Sequence, residues 1–226
     1  MAITICYDAI HVNTSHLPPK QQAAGYTTGT PDIVWTAADW SSHPRAVRIC
    51  QDTRASDTTA DVLDVERGAA ANTDAARWYK SARESYDAAT RPGQRHPAIY
   101  TSAANVTPLV NALKADGITA GPRLWVANWN LSEAQATAEI IAASGPFPNI
   151  GVQFHSAQFY DVSTFSTTWL NGISALPAPG GPHRHVLARG ETLATVAARR
   201  HTTVEHLAEV TVKALKAGDA YYTSNP

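Results

Sequence analysis

The sequence carries almost no net charge: 18 Lys and Arg stand against 19 Asp and Glu, a formal balance of -1 over 226 residues. No basic stripe with interleaved aromatics occurs either, so the electrostatic footprint of a nucleic-acid binder is missing. Long hydrophobic runs are missing too, and no apolar stretch reaches the length needed to span a bilayer. Cysteine is scarce. The two present, Cys6 and Cys50, sit in apolar strand-like runs without ligand-type spacing and read as buried free thiols, with a disulfide left open. Nine histidines are scattered along the chain, and no HExxH or paired-Cys pattern gathers them into a metal site. The opening "MAITICYDAI" lacks the basic start, apolar core and cleavage site of a signal peptide. That predicts a product made in the cytoplasm, which something else must release if it works outside the cell.

What the sequence does have is alternation. "ITICYDA", "DIVWTAA", "AVRICQD", "ADVLDVE", "PAIYTSA", "RLWVANW" and "IGVQFHS" read as strands, largely apolar on both faces as in a parallel sheet. Between them lie helical patterns. In "NTDAARWYKSARESYDAA", Ala75, Tyr79, Ala82, Tyr86 and Ala89 repeat at three- and four-residue spacing and form one apolar stripe. Ser132 and Gln135 make a capping-box pattern that opens another helix, closed by Gly145-Pro146. Repeated βα units predict an α/β fold with a parallel sheet, open or closed into a barrel.

The pattern changes at "LPAPGGPHR", where three prolines and two glycines predict a semi-extended linker. Beyond it, "HVLARGETLATVAARRHTTVEHLAEV" reads as a short strand, a turn and two helices, the second opened by a Thr202-to-Glu205 capping box, and "GDAYYT" as a second strand. The expected division is a large domain over 1–175, a linker over 176–183 and a small βααβ unit over 184–226.

The chemistry centres on "ADVLDVERG". In an extended strand, residues two apart point to one side, so Asp64 and Glu66 are expected to face one space at the C-terminal end of a strand, where barrels and open sheets place their active sites. Asp8 ends the first strand, and Asp161 in "YDVSTF" falls near the end of the last, so both can reach the same mouth. Four acids in one cleft suit glycoside hydrolysis, which needs a protonated acid beside the leaving oxygen and a second carboxylate beside the anomeric centre. Glu66, with the longer reach, is the candidate acid and Asp64 the ionised partner. A DxE pair is also compatible with a solvated strand end, a helix cap or a divalent-metal site.

"ADVLDVERG" with "PAIYTSA", then "RLWVANWN", then "GVQFHS" and "YDVSTF", resembles in order and spacing the lysozymes of glycoside hydrolase family 25, over about Ile3 to Leu170. The opening "GYTTGTPDIVWTAADW" is similar to that of shorter relatives from actinobacterial phages and prophages. The resemblance implies an irregular TIM-like β/α barrel that cleaves the β-1,4 bond between N-acetylmuramic acid and N-acetylglucosamine, without a cofactor. It makes Glu66 the general acid and Asp64 the residue supporting the reacting sugar, with Asp8 and Asp161 on the first and last strands. It implies substrate contacts at Tyr100, Trp125, Trp129 and Gln153, the three aromatics as sugar-stacking faces; packed barrel positions are the other reading of those aromatics. Two departures from the family pattern stand out. "CYDAIHVN" replaces the usual Gly-Ile-Asp-Val-Ser opening, and only "DWSSHPR" separates the second and third expected strands, too short for the usual helix.

The last segment resembles a LysM domain, which implies binding to N-acetylglucosamine polymers. Together the resemblances imply a peptidoglycan muramidase with a wall-binding tail, acting at the bacterial wall either released or within a phage-like particle alongside its other components. The partners are glycan strands, not nucleic acid or membrane. The alternative is a weakly active or inactive wall-binding or virion protein that retains the barrel.

Overall fold

The computed structural model describes residues 2–87 and 97–171. The expected linker and LysM-like unit, and Ala89 of the helical stripe, lie outside the described residues. Eight strands close into a barrel in chain order: β1 (Ile3–Asp8), β2 (Gln22–Tyr26), β3 (Val47–Cys50), β4 (Val62–Asp64), β5 (Ala98–Ser102), β6 (Arg123–Ala127), β7 (Asn149–Ser156) and β8 (Asp161–Ser166). Helices α1 (Ala37–Ser42), α2 (Asn72–Asp87), α3 (Val106–Ala115), α4 (Glu133–Ala142) and α5 (Thr167–Asn171) complete the described elements. The α/β barrel read from the sequence is therefore present. Strands β1 to β7 pair in parallel, but β8 runs antiparallel to both β7 and β1. The sheet is not wholly parallel as expected.

Side chains alternate across the barrel wall as the pleat requires. On β4, Val62 joins the interior cluster with Cys6, Ala98, Trp125 and Phe165, whereas Leu63 packs outward with Ile99, Leu109, Leu113 and Trp78. Trp78 comes from α2, whose Ala75, Tyr79 and Ala82 are buried as the stripe predicted. Burying a side chain as large as Trp78 contributes on the order of 2–3 kcal/mol, more than the intrinsic propensity of the helix supplies. The α4 capping box is formed, with Ser132 as N-cap and Gln135 returning the bond. Cys6 and Cys50 are free and buried.

The region between β1 and β3 differs from expectation. "DIVWTAA" is not a strand: it holds a turn, a single bridge from Val34 to Tyr26, and the start of α1. Its apolar residues pack as a loop, with Trp35 buried beside Ala9, Leu17, Ala23 and Trp40. The true second strand is β2, whose Gln-Ala-Ala-Gly-Tyr sequence carries little β propensity. Its small residues answer to packing, since a Cβ on Gly25 would lie 2.1 Å from the Trp35 ring. The helix judged too short to fit is also present. Residues Ala37 to Ser42 form α1, held by a capping box between Thr36 and Asp39.

Candidate active site

Asp8 and Asp64 end β1 and β4, and both are only 4% exposed. Asp161 opens β8. Because β8 runs the opposite way, its start lies at the same end of the barrel, and Asp161 pairs across the sheet with Asp8 on one side and Ser156 on the other. Beneath these groups lies an apolar floor that includes Val62, Trp125 and Phe165.

Glu66 is not in the strand, because β4 stops at Asp64. It begins a β-turn closed by the Ala69 N–H to the Glu66 carbonyl at 3.0 Å. Gly68 holds φ 95° in that turn, a value that favours glycine. The strand periodicity expected to align Asp64 and Glu66 therefore does not operate, and the turn brings them together instead. Glu66 is half-buried, and its charge acts on both Asp64 and Tyr100.

Burial dominates the electrostatics. Burial first, then the charge of Glu66, pushes the Asp64 carboxyl up to about 8, against a hydrogen bond from Gln51. Burial, then Asp161 and Asp64, raises Asp8 well above its ordinary value, against hydrogen bonding from Gln153. Burial and then Asp161 raise Glu66, while burial raises Asp161 against hydrogen bonding from Ser156, the charge of His155 and hydrogen bonding from Gln153. The sequence reading makes Asp64 the ionised partner; burial and the charge of Glu66 instead favour its protonated form at neutral pH in the free protein. Its Oδ1 is buried without a hydrogen-bond partner, a costly arrangement of the kind that marks functional sites.

Gln153 ties the cluster together. Its Nε2 donates to Asp8 Oδ1 at 3.2 Å, and its Oε1 accepts the Tyr100 hydroxyl. It is 1% exposed, so it orients groups at the mouth from below. The expected aromatics divide. Trp125 is 1% exposed, donates from Nε1 to Ser163 Oγ at 3.1 Å and packs edge-on against Tyr100 and Phe165. It belongs to the floor and offers no face to a sugar, which corrects that expectation and matches the packed-barrel alternative. Tyr100 is partly buried at the mouth, and Trp129, just past β6, is 50% exposed.

Sequence reading missed Tyr26, Gln51 and Ser156. Tyr26 ends β2 and feels the charges of Asp8 and Asp64, so recognising β2 as a strand would have pointed to it. Gln51 follows β3 directly and could have been found by the same rule that selected Asp8. Beside Glu66 a pocket of about 440 Å³ opens on the β4 and β5 side of the mouth. Among the described residues no three His, Cys, Asp or Glu side chains are arranged to hold a metal ion.

Comparison of the chain with protein-family models, with curated proteins and with solved structures found no match. The geometry stands alone. It can present a half-buried carboxyl of raised pKa, Glu66, beside the buried Asp64 and two further carboxyls, over a largely aromatic floor, to a ligand entering the barrel mouth.

Proposed function

We propose that the barrel is a peptidoglycan hydrolase of the muramidase type, cleaving the β-1,4 bond between N-acetylmuramic acid and N-acetylglucosamine. The observation that supports this best is the convergence of Asp8, Asp64, Glu66 and Asp161 at one end of a closed barrel, with burial and mutual repulsion keeping protons in the cluster near neutrality. A glycosidase needs an acid that is protonated before the reaction begins. Glu66 takes that role because it is the carboxyl of the DxE pair that reaches the open mouth and borders a pocket. Asp64, neutral and with a free oxygen, supports the reacting sugar by hydrogen bonding to a substituent such as the N-acetyl group. Gln153, itself held by the Tyr100 hydroxyl, holds Asp8 in place, and Trp129 supplies an exposed stacking face at the rim. A wall-binding role for residues 184–226 belongs to the same proposal, since a weak glycan-binding module raises the local concentration of an enzyme on an insoluble polymer.

The test is lysis of purified peptidoglycan, followed by mass analysis of the released reducing ends. Muramic ends support the proposal, and glucosamine ends replace it with a glucosaminidase. Glu66→Gln should lower turnover by about 10²- to 10⁴-fold, the usual contribution of general acid catalysis. A substrate with a leaving group that needs no protonation should recover much of that loss. Near-native lysis by Glu66→Gln would remove Glu66 from the chemistry, and no lysis by the native chain would favour the non-catalytic wall protein.

A further inference from the structure

The pocket beside Glu66 is assigned no ligand in the chemistry above, where it only marks the open side of that carboxyl. Its volume of about 440 Å³ falls in the range of ligand sites. Glu66, Arg67, Ala70, Asn72, Ser102 and Asn105 line it. Its walls are held rigidly. Asn72 and Asn105 exchange amide hydrogen bonds of 3.0 and 2.9 Å, and Asn105 also donates to Thr101 Oγ1 at 2.9 Å.

The lining has donors to spare. The described ion pairs are His11 with Asp39 and Arg77 with Asp74, so Arg67 forms none among the described residues. Ser102 opens the turn after β5 without capping it. Asn72 spends one amide hydrogen on Asn105 and has a second to offer. Burial and Asp161 set the state of Glu66, and no stabilisation by its neighbour Arg67 counters them. An exposed guanidinium, set beside the neutral amides and hydroxyl of a pocket that also carries Glu66 at its edge, fits a planar carboxylate, which accepts two parallel hydrogen bonds from it. Ala70 leaves room for small side chains.

We propose that this pocket binds the acidic peptide carried by the muramic acid residue, with Arg67 paired to a peptide carboxylate, so that the site prefers peptide-bearing glycan with free carboxylates. The inference rests on the muramidase reading for one point, that the glycan delivers its peptide next to Glu66. Recognition itself rests on the pocket.

The test uses the full chain in two measurements. The first compares kcat/KM on soluble glycan strands bearing free-acid peptides and on the same strands after the peptide carboxylates are converted to amides. The native protein should favour the free acid on the order of tenfold, as loss of one charge-assisted hydrogen-bonded pair implies. Arg67→Ala should bring that ratio close to one, and Arg67→Lys should keep part of it, retaining charge but not the fork. The second measures binding of N-acetylmuramyl dipeptide with a free carboxylate by calorimetry, which needs no catalysis. Arg67-dependent binding supports the pocket assignment even if the chain cleaves nothing, in which case the muramidase reading alone fails. Cleavage with the same acid-to-amide ratio in the native and Arg67→Ala proteins overturns the pocket assignment and leaves the muramidase reading intact. Dipeptide binding unaffected by Arg67→Ala also overturns it.

Discussion

Asp8 and Asp161 stand directly opposite one another on the antiparallel β1 and β8 strands, at the end where both face the barrel mouth. Cross-strand partners of like charge destabilise a sheet by roughly 0.2–1 kcal/mol. Here burial raises both carboxyls and Gln153 hydrogen-bonds to both, which eases the repulsion between them. Asp161→Asn removes one member and keeps its shape. It should raise the thermal midpoint at pH 7 slightly while lowering peptidoglycan lysis, a combination readable from melting curves and turbidity assays on the same preparation. A loss of both stability and lysis would mean that Asp161 is needed for folding and not held for chemistry.

The state of Asp64 sets a second expectation. Its folded pKa of about 8 lies above the value of about 3.9 expected when unfolded. Between those values the native state binds more protons than the unfolded chain, so this contribution to stability is full below about pH 4 and is lost as pH rises through 8. Asp64→Asn cannot ionise. The variant should gain on the native protein by up to about 1.4 kcal/mol per pH unit across that window, measured by denaturant unfolding at pH 5 and pH 8. A constant difference at the two pH values would place the Asp64 proton elsewhere.

The two tryptophans of "RLWVANW" should separate cleanly. Trp125 is buried within the floor and Trp129 is half-exposed. Trp125→Ala should cost about 3–5 kcal/mol by opening a cavity. Trp129→Ala should stay within about 0.5 kcal/mol of native stability and weaken retention on insoluble glycan. Unfolding midpoints and co-sedimentation give both readouts.

Legibility in the sequence followed the strength of local signals. Asp8 and Asp64 were identifiable because strand ends are easily read where apolar runs stop, whereas Glu66 followed only from its spacing to Asp64, and Asp161 only from its nearness to the end of β7, since the β8 strand it opens was not read as a strand. The α4 capping box and the buried stripe of α2 were equally plain. The β2 strand was hidden because Gly25 and its alanine neighbours are shaped by the Trp35 ring across from them, a tertiary demand that leaves no propensity signal. "DIVW" looked like a strand for the converse reason: its apolar residues serve a loop packed on the wall. Thr36 and Asp39 did carry a helix-opening signature, but it lay inside an apolar run already assigned to a strand. The protonation of Asp64 was not legible at all, because it depends on how much water the closed barrel excludes.

The reversed final strand also decides where the chain enters and leaves the barrel. Ile3 pairs with Ser166, the Thr167 N–H donates to the Ala2 carbonyl at 2.9 Å, and the Thr4 and Thr167 hydroxyls meet at 2.8 Å. Entry and exit are thus stitched together at the pole opposite the carboxyls. An eighth strand running parallel would have discharged the chain at the mouth and required a return helix. With the reversal, the described barrel has adjoining ends, so a circular permutant that links them and opens an outer loop should keep the same mouth.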